Sequence, residues 1–256
     1  MIVNTCLSRL WFLSTPGKGP RVAVLAAVAL VAAVGPATAQ EWSMSFYIQQ
    51  AFPKQTNTNK QIEAINATFG SDFDTWDDVA NLSIGTQLYH RVSDVLLVGG
   101  EFDYSRGSLD GTATVETEAG PAELAFEQKY SVFANLLFAA KYLPCRTCST
   151  VVPFAYGALG VAYEKDTTTL TLRNEYLDED LRVENDGWFP AYTAGIGLDL
   201  YPFANKAWYL EVGTAYYWGR LTHMVPASGS LAPAPEVEAD TDSTGPNYWL
   251  GFGVKF

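Results

Sequence analysis

Apolar and polar residues alternate with a period of two along most of this 256-residue chain. That period belongs to strands presenting one apolar face, and it excludes amphipathic helices over the same stretches. Over 42–52 the apolar set is Trp42, Met44, Phe46, Ile48 and Phe52, with Ser43, Ser45 and Gln49 opposite. Ala80, Leu82, Ile84 and Leu88 oppose Asn81, Ser83, Gly85 and Gln87; Leu96, Val98, Phe102 and Tyr104 oppose Gly99, Glu101, Asp103 and Ser105. Phe126, Tyr130, Val132, Leu136 and Phe138 are expected on one face, against Glu127, Lys129, Ser131 and Asn135. Stretches 188–200 and 208–218 repeat the pattern, with Asp199 and Glu211 on the polar face. The pattern is weakest over 151–163, where a bulge would restore it.

The connections carry as much information as the strands. Short ones at 89–94, 142–150 and 201–206 alternate with long polar ones at 52–77, 105–125, 164–187 and 219–246. Long structureless loops are uncommon in compact soluble domains. Placed after every second strand, they all fall at one end of an up-and-down array. Alternation alone does not say which face is outside, since a lipocalin-like soluble barrel would turn the apolar set inward around a ligand. The one-sided loops and the Tyr and Trp residues at strand ends favour an apolar face toward lipid.

Before the first strand, Arg9, Lys18 and Arg21 precede an apolar run at 22–34, followed by Gly35-Pro36 and Ala37-Thr38-Ala39. A positive region, a short apolar core and a small-x-small site predict a secretory leader over 1–39, leaving a mature domain of 40–256. The run is shorter than the roughly 20 residues of a spanning helix. Removing those three bases leaves 13 against 28 acids, a net charge of −15. So acidic a chain is a poor ligand for nucleic acid.

The closing strand is the most specific segment. Tyr248, Leu250, Phe252, Val254 and Phe256 share one face; Gly251, Gly253 and Lys255 share the other. With Pro153-Phe154 opening a glycine-spaced strand and Gly195-Ile196-Gly197-Leu198-Asp199 in another, the chain resembles the small OmpA/OmpX-type outer-membrane barrels over essentially its mature length. The resemblance implies an all-β fold, a transmembrane antiparallel up-and-down barrel of about eight strands. It also implies residence in the outer membrane of a Gram-negative bacterium, as a monomer among outer-membrane lipid and lipopolysaccharide. The same likeness makes the terminal strand a signal for the barrel-assembly machinery, and no peptidoglycan-binding domain is expected after it.

Candidate chemistry is sparse. Glu101, Asp103, Glu127, Lys129, Lys141, Asp199, Glu211 and Lys255 are expected on the lumenal face as a charge network, which in so narrow a barrel would fill the interior. A small cation-preferring pore is the alternative reading of the same acids. His223 shares a long connection with Ser228, Ser230, Asp240 and Asp242, yet no spacing matches a catalytic signature, so a lipid-modifying enzyme ranks last and no cofactor is expected. Cys145 and Cys148 sit in one short turn, and the oxidising periplasm predicts a local disulfide. Acids cluster in the long connections: Asp72, Asp74, Asp77 and Asp78; Asp178, Glu179, Asp180, Glu184 and Asp186; Glu236, Glu238, Asp240 and Asp242. They read as a hydrated surface or as hard-oxygen donors for divalent cations. The expected role is non-enzymatic, structural or surface-binding through those connections.

The terminal pattern yields the first prediction. Deleting Phe256 should lower the folded protein recovered from membranes, read as loss of the fast-migrating unboiled band on a gel.

Overall fold

The computed structural model describes residues 42–53, 55–76, 81–145, 147–203 and 206–256; the expected leader, with Gln40 and Glu41, lies outside them. The elements run β1 (Trp42–Ala51), α1 (Thr56–Phe69), β2 (Asn81–Ser93), β3 (Leu96–Thr117), β4 (Gly120–Tyr142), β5 (Val151–Arg173), β6 (Asp178–Leu200), β7 (Trp208–Ser228), β8 (Glu236–Asp242) and β9 (Gly245–Lys255). Each strand from β1 to β7 pairs antiparallel with its successor, β7 also pairs with β9, and β9 returns to β1. Eight strands therefore close a ring, while β8 adds a short ladder on the upper half of β7. At the junction Trp42 and Phe256 exchange backbone hydrogen bonds of 3.0 Å in both directions.

Around the lower ring the outward positions are large and apolar. Phe46, Ile48, Leu82, Ile84, Leu136, Phe138, Leu159, Ile196 and Leu250 are all exposed. On β5, β6 and β7 this belt spans 151–161, 188–198 and 208–218, about eleven residues per strand, the length a tilted strand needs to cross hydrocarbon. Trp188, Trp218 and Tyr248 mark one edge; Tyr142 and Trp208 mark the other. Aromatic rings at both edges are what a bilayer interface selects. No described helix is long and apolar enough to cross a membrane.

Above the belt the sidedness reverses. β3 to β6 continue for 22 or 23 residues, twice the belt height. There Leu109, Val115, Leu124, Phe126, Tyr130, Leu170 and Leu172 point inward into an apolar core of their own, while Asp110, Glu116, Glu123 and Arg173 point out. In β4 the reversal is made by one extra residue: the register with β5 shifts between Tyr130 and Val132, leaving Ser131 as a bulge. A one-residue insertion flips every side chain beyond it. Leu136 and Phe138 thus face outward, but Phe126 and Tyr130, expected beside them, face in.

The same bulge corrects two charged residues: Glu127 and Lys129, expected in the lumen, are exposed on the outer face. No bulge occurs over 151–163, where β5 pairs with β6 without a shift. The long polar connections are also mostly strand. The β3–β4 hairpin turns through Glu118-Ala119 onto Gly120, whose φ of +96° suits glycine, and 174–177 turn β5 into β6.

α1 fills the space above β1 and β2, where those short strands stop. Ile62 is buried in the upper core, with Ile65 and Phe69 packed against it. Gly70, at φ +69°, ends the helix by donating its amide to the Asn66 carbonyl at 2.8 Å. The Asn66 side chain accepts from the Phe73 amide at 2.9 Å and donates to the Phe73 carbonyl at 3.0 Å, holding the returning chain. Trp76, fully buried, lies edge-on to Tyr130 at 5.0 Å and donates to Gln128 Oε1 at 2.6 Å.

The reversal is testable by charge. Leu136→Arg, in the belt, should destabilise the barrel by about 2–4 kcal/mol in lipid vesicles, whereas Glu127→Arg, above it, should lie within about 0.5 kcal/mol of wild type. Urea unfolding titrations of vesicle-inserted protein provide the check.

Candidate functional site

The lumen is filled in tiers. Nearest the short turns, Lys141 on β4 reaches Asp199 on β6 at 2.7 Å and Glu211 on β7 at 2.8 Å, with all three side chains buried. The second Glu211 oxygen accepts from Trp249 Nε1 at 2.8 Å, and the Lys141 ammonium lies 3.8 Å from the Phe154 ring centroid. One cation thus faces two carboxylates, an aromatic face covers it, and an indole donor satisfies the spare oxygen. Lys255 sits at the mouth, 4.1 Å above the Tyr201 ring, and no ion pair joins it to the tier.

The middle tier is built on Glu101 and Asp103 of β3. Glu101 accepts from Gln87 Nε2 at 2.9 Å and from the Tyr156 hydroxyl at 2.5 Å; Asp103 accepts from the Tyr47 hydroxyl. Neutral donors, not bases, hold these carboxylates. Glycines admit the surrounding rings: a Cβ at Gly213 would stand 2.2 Å from the Trp249 ring, and one at Gly253 would stand 2.2 Å from Tyr209. The cavities left around these tiers are about 50 and 10 Å³, room for a few waters at most.

Tyr47, Tyr89, Tyr156, Tyr209, Tyr217 and Trp249 form the lumenal core, and the alternation did not single them out. The signal was parity: Tyr47 lies between Phe46 and Ile48, which face lipid.

His223 faces the interior beside Gly187, with its ring 3.5 Å from where a Cβ would stand. The neighbours considered for catalysis do not converge on it. Asp240 is held by Arg220, Ser230 accepts from the Asp180 amide, and Asp242 accepts from the Thr244 amide. His90 stacks against Trp42 at 4.6 Å. Cys145 and Cys148 are disulfide-bonded, with Cα atoms 5.5 Å apart. Tyr248, Leu250 and Phe252 project outward on β9 while Val254 and Phe256 are half-buried at its end. Of the acid clusters, Asp77 and Asp78 lie outside the described residues. Arg173–Asp178 and Arg182–Glu184 are exposed surface pairs at 2.7 and 2.6 Å.

A closed antiparallel ring, an exposed apolar belt with aromatic edges and a polar filled interior occur together only where strands cross hydrocarbon. The chain is a transmembrane β-barrel of the outer-membrane type. No family profile matches the sequence, and no curated protein matches it. Solved structures similar to this barrel include a major outer membrane protein from Thermus thermophilus, at 8% identity and a TM-score of 0.44, over 84% of this chain and 99% of that one. OprG from Pseudomonas aeruginosa is similar at 17% identity and a TM-score of 0.42, over 84% and 95% of the two chains. The attachment invasion locus protein Ail of Yersinia pestis is similar at 14% identity and 0.38, over 86% and 100%. These are likenesses of architecture.

Lys141 tests the lowest tier. Lys141→Met leaves Asp199 and Glu211 buried without their cation and should cost about 3–5 kcal/mol. Adding Asp199→Asn and Glu211→Gln should restore much of that loss, as urea titration of the refolded barrel would show.

Proposed function

We propose that this protein is a closed, non-enzymatic outer-membrane barrel whose role lies in its extracellular platform, which binds a surface partner through the acidic outer faces of its hairpins. The observation that supports this reading most strongly is the second apolar core. Leu124, Trp76 and Ile62 are almost wholly buried above the belt, so the outer segments form a folded platform with fixed outer faces and not a set of mobile loops. A rigid surface binds without the ordering cost that a flexible loop incurs.

Three exposed bases sit lowest on the outer face of that platform: Arg106 on β3, Lys129 on β4 and Lys165 on β5. Ladder pairs bring them together, since Gly107 faces Tyr130 and Lys165 faces Val132. Their height, just above the aromatic edge, suits contact with the phosphates of the surrounding lipopolysaccharide. Assembly through the terminal strand by the barrel-assembly machinery belongs to the same proposal.

A pore reading draws no support from an interior crossed by buried tyrosines and by Lys141, a cation placed where a cation path would run. Planar bilayers containing the purified barrel should show no steady single-channel steps in KCl. Reproducible cation-selective steps, suppressed by Glu101→Gln, would replace this reading with a channel.

A further inference from the structure

Among the described residues the ladder between β6 and β7 lapses, leaving a seam in the barrel wall. β6 and β7 pair from Leu200↔Leu210 up to Ala191↔Gly219, and again at Val183↔Ala227 and Arg182↔Ser228. Between these, no ladder pair joins 184–190 to 220–226, although the register is unchanged across the lapse. Pro190, the first residue past Ala191, has no amide hydrogen to donate there. Side chains partly fill the seam: a Cβ at Gly187 would stand 2.9 Å from Leu221.

Behind the seam, on the lumenal side and just above the aromatic edge, lies a cluster of oxygen atoms. Glu164 is 0% exposed, and Asp166, two residues on along β5, is 4% exposed. Their donors are few. Asn185 Nδ2 lies 2.6 Å from Asp166 Oδ2, 3.4 Å from Glu164 Oε1 and 3.2 Å from Thr241 Oγ1; the Ser243 hydroxyl lies 3.5 Å from Glu164 Oε2. The contacts from Asn185 and Ser243 to Glu164 are at the limit of a hydrogen bond; Thr241 also reaches Glu164, while Gln128 of β4 and His223 of β7 lie beside Asp166. Among the described residues no Lys or Arg pairs with either carboxylate. The Asn185 carbonyl oxygen, on a side chain only 4% exposed, has no partner at all. A fully buried carboxylate so weakly held is costly, and an unsatisfied buried acceptor beside it calls for a missing donor or ion.

We propose that Glu164, Asp166, Asn185, Thr241 and Ser243 form a binding site for a divalent cation, Ca²⁺ by its chemistry, that ties the two sides of the seam together. The donor set is all hard oxygen: two carboxylates, one amide and two hydroxyls. That matches the oxygen-rich, irregular shell Ca²⁺ accepts, where Mg²⁺ demands a tight octahedron. Two negative charges match a divalent ion. Turning the Asn185 amide over places its oxygen where Nδ2 now stands, converting the group that fills in for the cation into a ligand. Glu164, Asp166 and Asn185 come from β5 and β6, while Thr241 and Ser243 come from β8 and the residue after it, beyond the seam. The ion thus replaces the missing ladder bonds with ligand bonds. This site is separate from the exposed acids of the platform and from the lipid-facing bases.

The test is calorimetric titration of CaCl₂ into the full mature barrel, refolded in detergent and stripped of metal. The expected result is one site per barrel with a dissociation constant of about 10⁻⁴–10⁻³ M, accompanied by a higher melting temperature. Glu164→Gln should abolish it, and Thr241→Val, which removes one neutral ligand and no charge, should weaken it about tenfold or more. Glu184→Gln, an exposed acid near the seam, should bind as wild type does. If Glu164→Gln fails to fold, Thr241→Val decides. Absence of binding overturns the proposal, as does binding that Thr241→Val leaves unchanged or that Glu184→Gln removes. So does a melting temperature indifferent to Ca²⁺ but falling as pH rises, the mark of a proton shared by the two carboxyls.

Discussion

A backbone that crosses hydrocarbon finds no water to bond, so each of its amide and carbonyl groups must find a partner within the protein. For strands this forces closure, and closure here rests on β9 meeting β1 along nine residue pairs, from Ser43↔Lys255 to Ala51↔Asn247. Everything else in the molecule follows from that ring. Its outer positions meet lipid and are Phe46, Leu136, Leu159 and Leu250. Its interior is too narrow for a solvent column once tyrosines enter, so the inward polar groups must bond to one another. Lys141 between Asp199 and Glu211, and Glu101 beneath Tyr156 and Gln87, are that requirement met by side chains.

Above the bilayer the solvent changes, and the strands change with it. Outside lipid, an outward leucine loses its favourable surroundings and an inward one gains them, so the apolar set moves inside. In β5 the change is made by composition: Glu164 and Asp166 give way to Leu170 and Leu172 at the same inward parity. In β4 it is made by geometry, through the single extra residue Ser131. The outcome is one continuous sheet with two interiors, polar and aromatic below, aliphatic and aromatic above, with α1 and Trp76 closing the upper one. The Glu164–Asp166 cluster and the seam sit where the two regimes meet.

The ring, its strand order and most lipid-facing residues of β1, β2 and β9 were legible in the sequence because lipid demands an apolar parity there, although Met44, expected outward, is buried and Gln50 and Thr86 interrupt that parity. Glu101, Asp103, Lys141, Asp199 and Glu211 could be placed inward for the same reason. Glu127 and Lys129 could not, because a bulge leaves no mark in a binary pattern, and Phe126 with Tyr130 continues the even-numbered apolar run with only Gln128 between them. The upper strands read as loops because their charged and threonine-rich outer positions dominate the composition, while the inward apolar residues come in short groups, Leu109 and Val115 on β3, Leu124 with Phe126 on β4 and Leu170 with Leu172 on β5. The helix had a signal, Ile62, Ile65 and Phe69 at helical spacing before Gly70, which a period of two does not contain.

The central claim is that the apolar face changes sides at the bilayer surface. Nuclear Overhauser contacts between backbone amides and lipid acyl chains, recorded on the deuterated barrel in nanodiscs, address it residue by residue. The account predicts acyl contacts for the strand segments carrying Leu82, Leu136, Leu159, Ile196 and Leu250, and none for those carrying Leu109, Phe126, Leu124 and Leu170. Acyl contacts that continued along β4 from Leu136 through Tyr130 to Phe126 would contradict it, and would mean that the apolar face keeps one parity along the whole strand.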